Sequence, residues 1–187
     1  DVQNENGEEA VGAANLEDFV INNGVLVEYN GTASEVTIPQ NVTKINYYVF
    51  KNHPELQKVV LDGCTVEIES EAFRDCSGLK TIEGTGNITS IESQAFEGCS
   101  ALESIEGTET IRYIGYAAFS GCTAFKGFVF TENLMTLRDD AFAGCKSLEN
   151  IVFPESLQEI GTVVFEDAAV QKLTFLCEYK KGMFEGG

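Results

Sequence analysis

A phenylalanine returns every 23 residues along this chain, at Phe50, Phe73, Phe96, Phe119, Phe142 and Phe165, with no insertion or deletion between them. A fixed period of this length specifies a solenoid, in which each repeat is one small unit stacked on the last. Other columns keep the same register. Five residues before each phenylalanine stand Ile45, Ile68, Ile91, Ile114, Leu137 and Ile160. Eight before it stand Val42, Ile88, Ile111, Leu134 and Leu157, with Thr65 interrupting the column in the second repeat. A small residue precedes each phenylalanine directly, from Val49 and Ala72 to Ala141 and Val164. Four phenylalanines carry a cysteine three residues later, at Cys76, Cys99, Cys122 and Cys145. Leu56, Leu79, Leu102, Phe125 and Leu148 follow at six residues, and Val59, Ile82, Ile105, Phe128 and Ile151 at nine.

No helical or strand period covers a whole unit, so each unit is a coil of several short segments. The segment Leu79-x-x-Ile82 and its equivalents suits a short strand, and residues 72–76 have room for one helical turn. One coil cannot bury its own apolar columns, so neighbours must stack. Equivalent strands then form a parallel sheet with a spacing of ~4.8 Å per repeat. Each phenylalanine lies over the next in an aromatic ladder, and truncating an internal member to alanine costs about 3–5 kcal/mol. At the N-terminal end, Asn23-Gly24 between two apolar runs predicts a tight hairpin turn, and Asn30-Gly31 a second turn. A hairpin there covers the bare end of the solenoid.

The unit I-x-x-I-x-x-x-A-F-x-x-C-x-x-L-x-x-I resembles the BspA-type leucine-rich repeat family over residues 36 to about 175. Residues 19–31, F-V-I-N-N-G-V-L-V-E-Y-N-G, followed by V-T-I-P at 36–39, are similar to that family's cap. The expected fold class is therefore a repeat solenoid: a leucine-rich-repeat right-handed superhelix with a parallel sheet of short strands, short helical turns and an N-terminal β-hairpin cap. Residues 1–15 are expected to be an acidic flexible tail or linker. Residues 16–187 form a single domain, with the cap at 16–35, repeats to about 175 and an atypical end at 176–187. In the last repeat Ala168 replaces the cysteine, and Val170, Leu173 and Phe175 arrive one residue early. A capping repeat and truncation of a longer array both fit.

The formal net charge is −18 at pH 7, and the first eighteen residues hold six acids without Lys or Arg. Such a surface repels phosphate, which argues against nucleic-acid and anionic-membrane partners and serves solubility. No apolar run approaches 18 residues, so no transmembrane segment is expected. A chain that begins at Asp1 reads as processed or trimmed, with any signal peptide already gone.

Candidate chemistry is sparse. Six cysteines invite a disulfide reading, but stacked cysteines present parallel Cβ vectors, so free buried thiols are expected in the ladder. Cys64 and Cys177 fall outside it, and Cys64 occupies a turn position that reads as a surface thiol. The single histidine, His53, stands where other repeats carry cysteine. A metal ligand or general base would need converging partners. The 23-residue cysteine spacing provides none, so His53 reads as a first-repeat variant near the cap. Asn30, Asn41 and Asn87 begin N-x-T triplets, which fit glycosylation sequons and, better, turn chemistry. Gly84-Thr-Gly86 and Gly107-Thr stand where Leu61, Phe130 or Phe153 stand in other repeats, which predicts slimmer packing there. No nucleophile–base–acid set assembles, so no enzyme, cofactor, catalytic residue or metal site is expected.

The sequence therefore places function on the surface between the core columns. The residues eight and ten after each phenylalanine face outward and define a partner-binding face: Lys58, Val60, Thr81, Glu83, Ser104, Glu106, Val129, Asn150 and Val152. Glu83 beside Glu106 calls for solvent, a cation or a basic partner, and Val129 beside Val152 offers an apolar step. The family resemblance implies a non-enzymatic binding module of an exported or cell-surface bacterial protein, acting in protein–protein interaction or adhesion to host or other cells. Its partner would be an extracellular protein or cell-surface ligand. Alternatives are a structural spacer and a glycan-binding accessory module. The latter would use Tyr47, Tyr48, Tyr113 and Tyr116, expected near the helical turns and off the strand face.

Overall fold

Most coils contribute two short strands, one to each of two sheets that enclose one continuous apolar core. The structure, a computed structural model, describes residues 14–176. All of the expected tail but residues 14 and 15, and the expected atypical end from Cys177 on, lie outside the described residues. A 3-10 turn at Leu16–Asp18 leads into β1 (Phe19–Asn22) and β2 (Val25–Tyr29). The segment nine residues after each of the first three phenylalanines forms β5 (Lys58–Val60), β7 (Thr81–Glu83) and β9 (Ser104–Ile105). Together with β3 (Glu35–Thr37) they make a four-stranded parallel sheet, in register Val36, Val59, Ile82, Ile105. This is the expected sheet.

A second, larger sheet runs through the isoleucine column. It joins β4 (Lys44–Ile45), β6 (Thr65–Ile68), β8 (Asn87–Ile91), β10 (Tyr113–Ile114), β11 (Thr136–Leu137) and β13 (Glu159–Ile160). The β1–β2 hairpin extends its edge, with β2 parallel to β4. Most of these strands are two residues long, too short for any alternation to mark them in the sequence. The Thr65 interruption disappears in three dimensions. A register shift lets Val66, wholly buried, pair with Ile88 and complete the column.

The expected helical turns are chains of β-turns instead. Their cause is a pair of left-handed residues flanking each ladder phenylalanine. Two residues before it, Tyr48, Glu71, Gln94, Ala117, Asp140 and Val163 have φ between 47° and 65°. Two after it, Asn52, Asp75, Gly98, Gly121, Gly144 and Asp167 have φ between 52° and 76°. Alternate peptides consequently point in different directions. The Glu71, Phe73 and Asp75 N–H groups donate to the next coil, at Ser93, Ala95 and Glu97. Those of Ala72, Arg74 and Cys76 donate back to residues 69, 71 and 73 of their own coil. A continuous helix would send every N–H along the coil and leave none for the neighbour.

The core is the predicted ladder. Successive rings from Phe50 to Phe142 stack at centroid distances of 4.9, 5.2, 5.3 and 5.2 Å, and Phe165 follows at 5.8 Å. The cap continues it, because Tyr29 lies 5.0 Å from Phe50 and Phe19 lies 5.2 Å from Tyr29. In the hairpin, Asn23 and Gly24 take φ of 50° and 80°, the mirror-image turn the Asn-Gly pair predicted. Asn30-Gly31 forms no turn, and a Cβ at Gly31 would strike the Tyr29 hydroxyl. Beyond the fifth coil, β12 (Asn150–Phe153) pairs with β14 (Lys172–Phe175) in a separate two-stranded sheet.

Candidate interaction surface

The chemistry-bearing side chains of the core are committed to structure. The ladder cysteines are free and buried, and each thiol donates to the carbonyl of the phenylalanine one coil earlier. Cys76 Sγ reaches Phe50 O at 2.8 Å, Cys99 Phe73 O at 3.0 Å, Cys122 Phe96 O at 3.1 Å and Cys145 Phe119 O at 3.2 Å. Burial pushes the Cys122 thiol well up, and the Cys145 thiol up to about 12, so neither is a nucleophile near neutral pH. Cys64, expected at the surface, is instead 2% exposed and belongs to the core cluster, and burial raises its thiol as well. His53 has no preceding coil whose phenylalanine carbonyl needs a donor. Its ring packs against Tyr29 at 5.6 Å and Phe50 at 6.3 Å, and Nδ1 lies 2.7 Å from Glu55 Oε1.

The outward columns do not form one unbroken face. Lys58 and Val60 lie on β5, Thr81 and Glu83 on β7, and Ser104 on β9, side by side. Glu106 follows β9 directly. Asn150 and Val152 belong to the separate sheet, and Val129 lies on no strand, 78% exposed. Within the protein the two carboxylates of the acidic step are each given an internal partner. Glu83 accepts the Thr81 hydroxyl at 2.8 Å and faces Lys58 Nζ at 3.9 Å; Lys58 also pairs with Glu35 at 2.8 Å. Glu106 Oε2 accepts the Gly84 N–H at 2.9 Å, so the two carboxylates point to different partners.

Between β9 and β12 the face is interrupted. Among the described residues, no ladder hydrogen bond joins residues 127–130 to the coil on either side. The cause is volume. This coil replaces the leucine and isoleucine of its neighbours by Phe125 and Phe128. Phe125 wedges flat against Phe119 at 4.8 Å, and Phe128 stands edge-on to Phe119, Phe125 and Phe130 at 5.2–6.0 Å. The rings hold the main chain out of ladder register. Beside this stretch lies a groove of about 740 Å³, because Gly84 and Gly107 delete the strand-end side chain that Leu61 and Phe130 supply elsewhere. Gly107 cannot be replaced without strain, since φ is 71° and a Cβ would strike the Gly86 carbonyl oxygen. Ile105, Phe128 and Val129 provide apolar walls, and Glu106 and Glu109 are exposed along the rim. The sequence predicted the slimmer packing at the glycines. It did not mark Phe128 or Glu109 as surface groups, although two aromatics in aliphatic columns were the available signal.

The opposite face, on the larger sheet, carries Tyr113 rather than a bare turn. Tyr113 lies in β10, against expectation, with Arg138 over its ring at 5.9 Å and Arg138 paired to Glu159 at 2.5 Å. Tyr47, Tyr48 and Tyr116 do lie in turns and are about half exposed. Lys44 bridges Glu67 at 2.9 Å and Glu69 at 2.6 Å, and burial together with those two carboxylates raises the neighbouring Glu92. Among the described residues, no group of His, Cys, Asp and Glu is placed to hold a metal ion, and no helix is long and apolar enough to cross a membrane.

A parallel-sheet solenoid with a buried phenylalanine ladder, donor thiols and its distinguishing residues outside is a protein of the leucine-rich-repeat class. The chain belongs to the BspA type leucine rich repeat family, whose sequence profile matches residues 13–126 and 66–185 with six copies. Among solved structures it is similar to a leucine-rich repeat protein from Bacteroides ovatus ATCC 8483, at 27% identity and a TM-score of 0.63 over 72% of this chain. The T. pallidum leucine rich repeat protein matches at 25% identity and a TM-score of 0.54, over 85% of this chain and 71% of that one. A leucine rich cell surface protein from Faecalibacterium prausnitzii A2-165 shares the fold, at 23% identity and a TM-score of 0.56, over 88% of this chain and 52% of that one. The chain spans 35% of the length of the Bacteroides ovatus protein. No protein with a curated description matches it.

Proposed function

We propose that the chain is a non-enzymatic protein-binding module of an exported or cell-surface bacterial protein, serving adhesion to host or other cells. Residues 16–187 act in this reading as one domain. The observation that carries it is the division of labour within each coil. The thiols and His53 are committed to the core or the cap, while the residues that differ from coil to coil lie outside, on a rigid laddered support. Family membership supports the extracellular location and a protein partner. The partner-binding face comprises Lys58, Val60, Thr81, Glu83, Ser104, Glu106, Val129, Asn150 and Val152.

Binding of the immobilised chain to purified host matrix proteins, and to epithelial and bacterial cells, tests the proposal. Saturable retention is expected, and it should fall when Glu83, Glu106, Val129 and Val152 are replaced together. Absence of retention, or retention indifferent to the four replacements, would overturn the assignment of the face. A glycan array in parallel separates the alternative, since sugar binding lost on changing Tyr113 or Tyr116 would favour a glycan module.

A further inference from the structure

We propose that the groove beside residues 127–130 receives an extended, basic peptide segment of a partner protein, which pairs its main chain with that stretch. The inference rests on the binding-module reading and names the partner's chemistry. Its first ground is the interruption itself. The equivalent segments on β3, β5, β7, β9 and β12 are laddered, yet among the described residues the peptide N–H and C=O groups of 127–130 bond to neither adjacent coil. Main-chain groups left open beside a sheet are a template for an added strand. The second ground is shape. Gly84, Gly86 and Gly107 line the groove without side chains, their own close approach being to the adjoining coil, and about 740 Å³ lies within the range of ligand clefts.

The third ground is charge and polarity. Among the described residues, Glu106 and Glu109 line the groove and no Lys, Arg or His does, and the chain carries −18 overall. Only one oxygen of Glu106 is engaged, by the Gly84 N–H. Val129 is 78% exposed and Phe128 half-buried, which makes an apolar contact beside the two carboxylates. Successive side chains of an extended strand point to opposite sides. A segment alternating Lys or Arg with an aliphatic residue therefore sets its apolar side chains on Phe128 and Val129 and its cations toward Glu106 and Glu109. A phosphate-bearing or acidic strand meets the same carboxylates as repulsion.

A fluorescent eight-residue peptide alternating lysine and valine, titrated into the full chain and followed by anisotropy, tests the proposal. Three comparisons accompany it: a glutamate–valine peptide, the lysine–valine peptide N-methylated at alternate backbone nitrogens, and the variant E106Q/E109Q. The amide introduced by E106Q keeps an acceptor for the Gly84 N–H, and a thermal melt verifies that the variant folds. The lysine–valine peptide should bind saturably and lose about tenfold in affinity against E106Q/E109Q. The other two peptides should not bind, and E17Q/E28Q, which removes the same charge at the cap, should change nothing. Equal binding of the N-methylated peptide, equal loss in E17Q/E28Q, or no saturable binding overturns the groove. Running E106Q/E109Q through the matrix-protein and cell assay separates the two proposals. Undiminished partner binding there leaves the module standing and removes the groove, whereas absence of partner binding by the unaltered chain removes the module.

Discussion

The thiol of each ladder cysteine bonds a carbonyl 26 residues earlier, which explains why cysteine rather than alanine recurs at this position. It is small enough for the space beneath a turn and still donates a weak hydrogen bond to an otherwise half-used acceptor. The cysteine column is legible in the sequence, but its partner is not, because the bond crosses a coil boundary. Burial raises the Cys145 thiol to about 12 against an ordinary value of 9.0. The unfolded chain releases this proton more readily than the folded one. The contribution is therefore complete below pH ~9 and lost between about pH 9 and 12, at about 1.4 kcal/mol per unit for each such thiol. Urea unfolding at pH 8 and 10 should show a smaller pH-dependent loss for Cys145→Ala than for the unaltered chain. An identical loss in both would contradict the assignment.

Among the elements, the turn segment departs most from expectation. The column two residues after each phenylalanine, Asn, Asp, Gly, Gly, Gly, Asp, is visibly one that tolerates positive φ. The column two before, running from Tyr48 to Val163, gives no such sign, because stacking rather than local preference imposes the conformation. A β-branched residue there is strained. Val163 has φ of 47°, is 40% exposed and sits at the last ladder coil. Val163→Gly is expected to stabilise the fold by about 1 kcal/mol, since relief of the left-handed penalty of ~1–2 kcal/mol exceeds the entropy glycine adds to the unfolded chain. A thermal melt unchanged or lowered would place the strain elsewhere.

Across the array as a whole, each coil contacts chiefly its neighbours, so stability is a sum along the solenoid rather than a property of one centre. The hairpin cap seals one end by joining both the larger sheet and the aromatic ladder through Tyr29. Toward the other end, β12 and β14 form their own sheet beyond the interruption, and β14 is mostly exposed. Hydrogen exchange should therefore be slowest for the ladder amides of Phe73, Phe96 and Phe119, and fastest in β14 and residues 127–130. Uniform protection from β2 to β14 would show instead that the array opens as a single unit. The interruption divides only the smaller sheet, since the larger sheet and the aromatic ladder continue past it through β10, β11 and β13.

Repetition made the coil, its length, the ladder, the hairpin cap and the free thiols readable from the chain alone. In a solenoid every coil repeats the same surroundings, so each core column is stated four to six times and a single exception, such as Thr65, does not obscure it. The second sheet, the left-handed residues before each phenylalanine, the burial of Cys64 and the break at residues 127–130 emerged only in three dimensions. Each of these depends on contacts between coils. Two-residue strands exist only because a neighbour pairs with them, and a strand is lost where Phe125 and Phe128 hold the chain away from both neighbours. The face expected from the outward columns was legible as a list of residues. Its interruption was not, because Gly127, which takes φ of 93°, weakens a strand without forbidding one, and the volume of the rings beneath it completes the break.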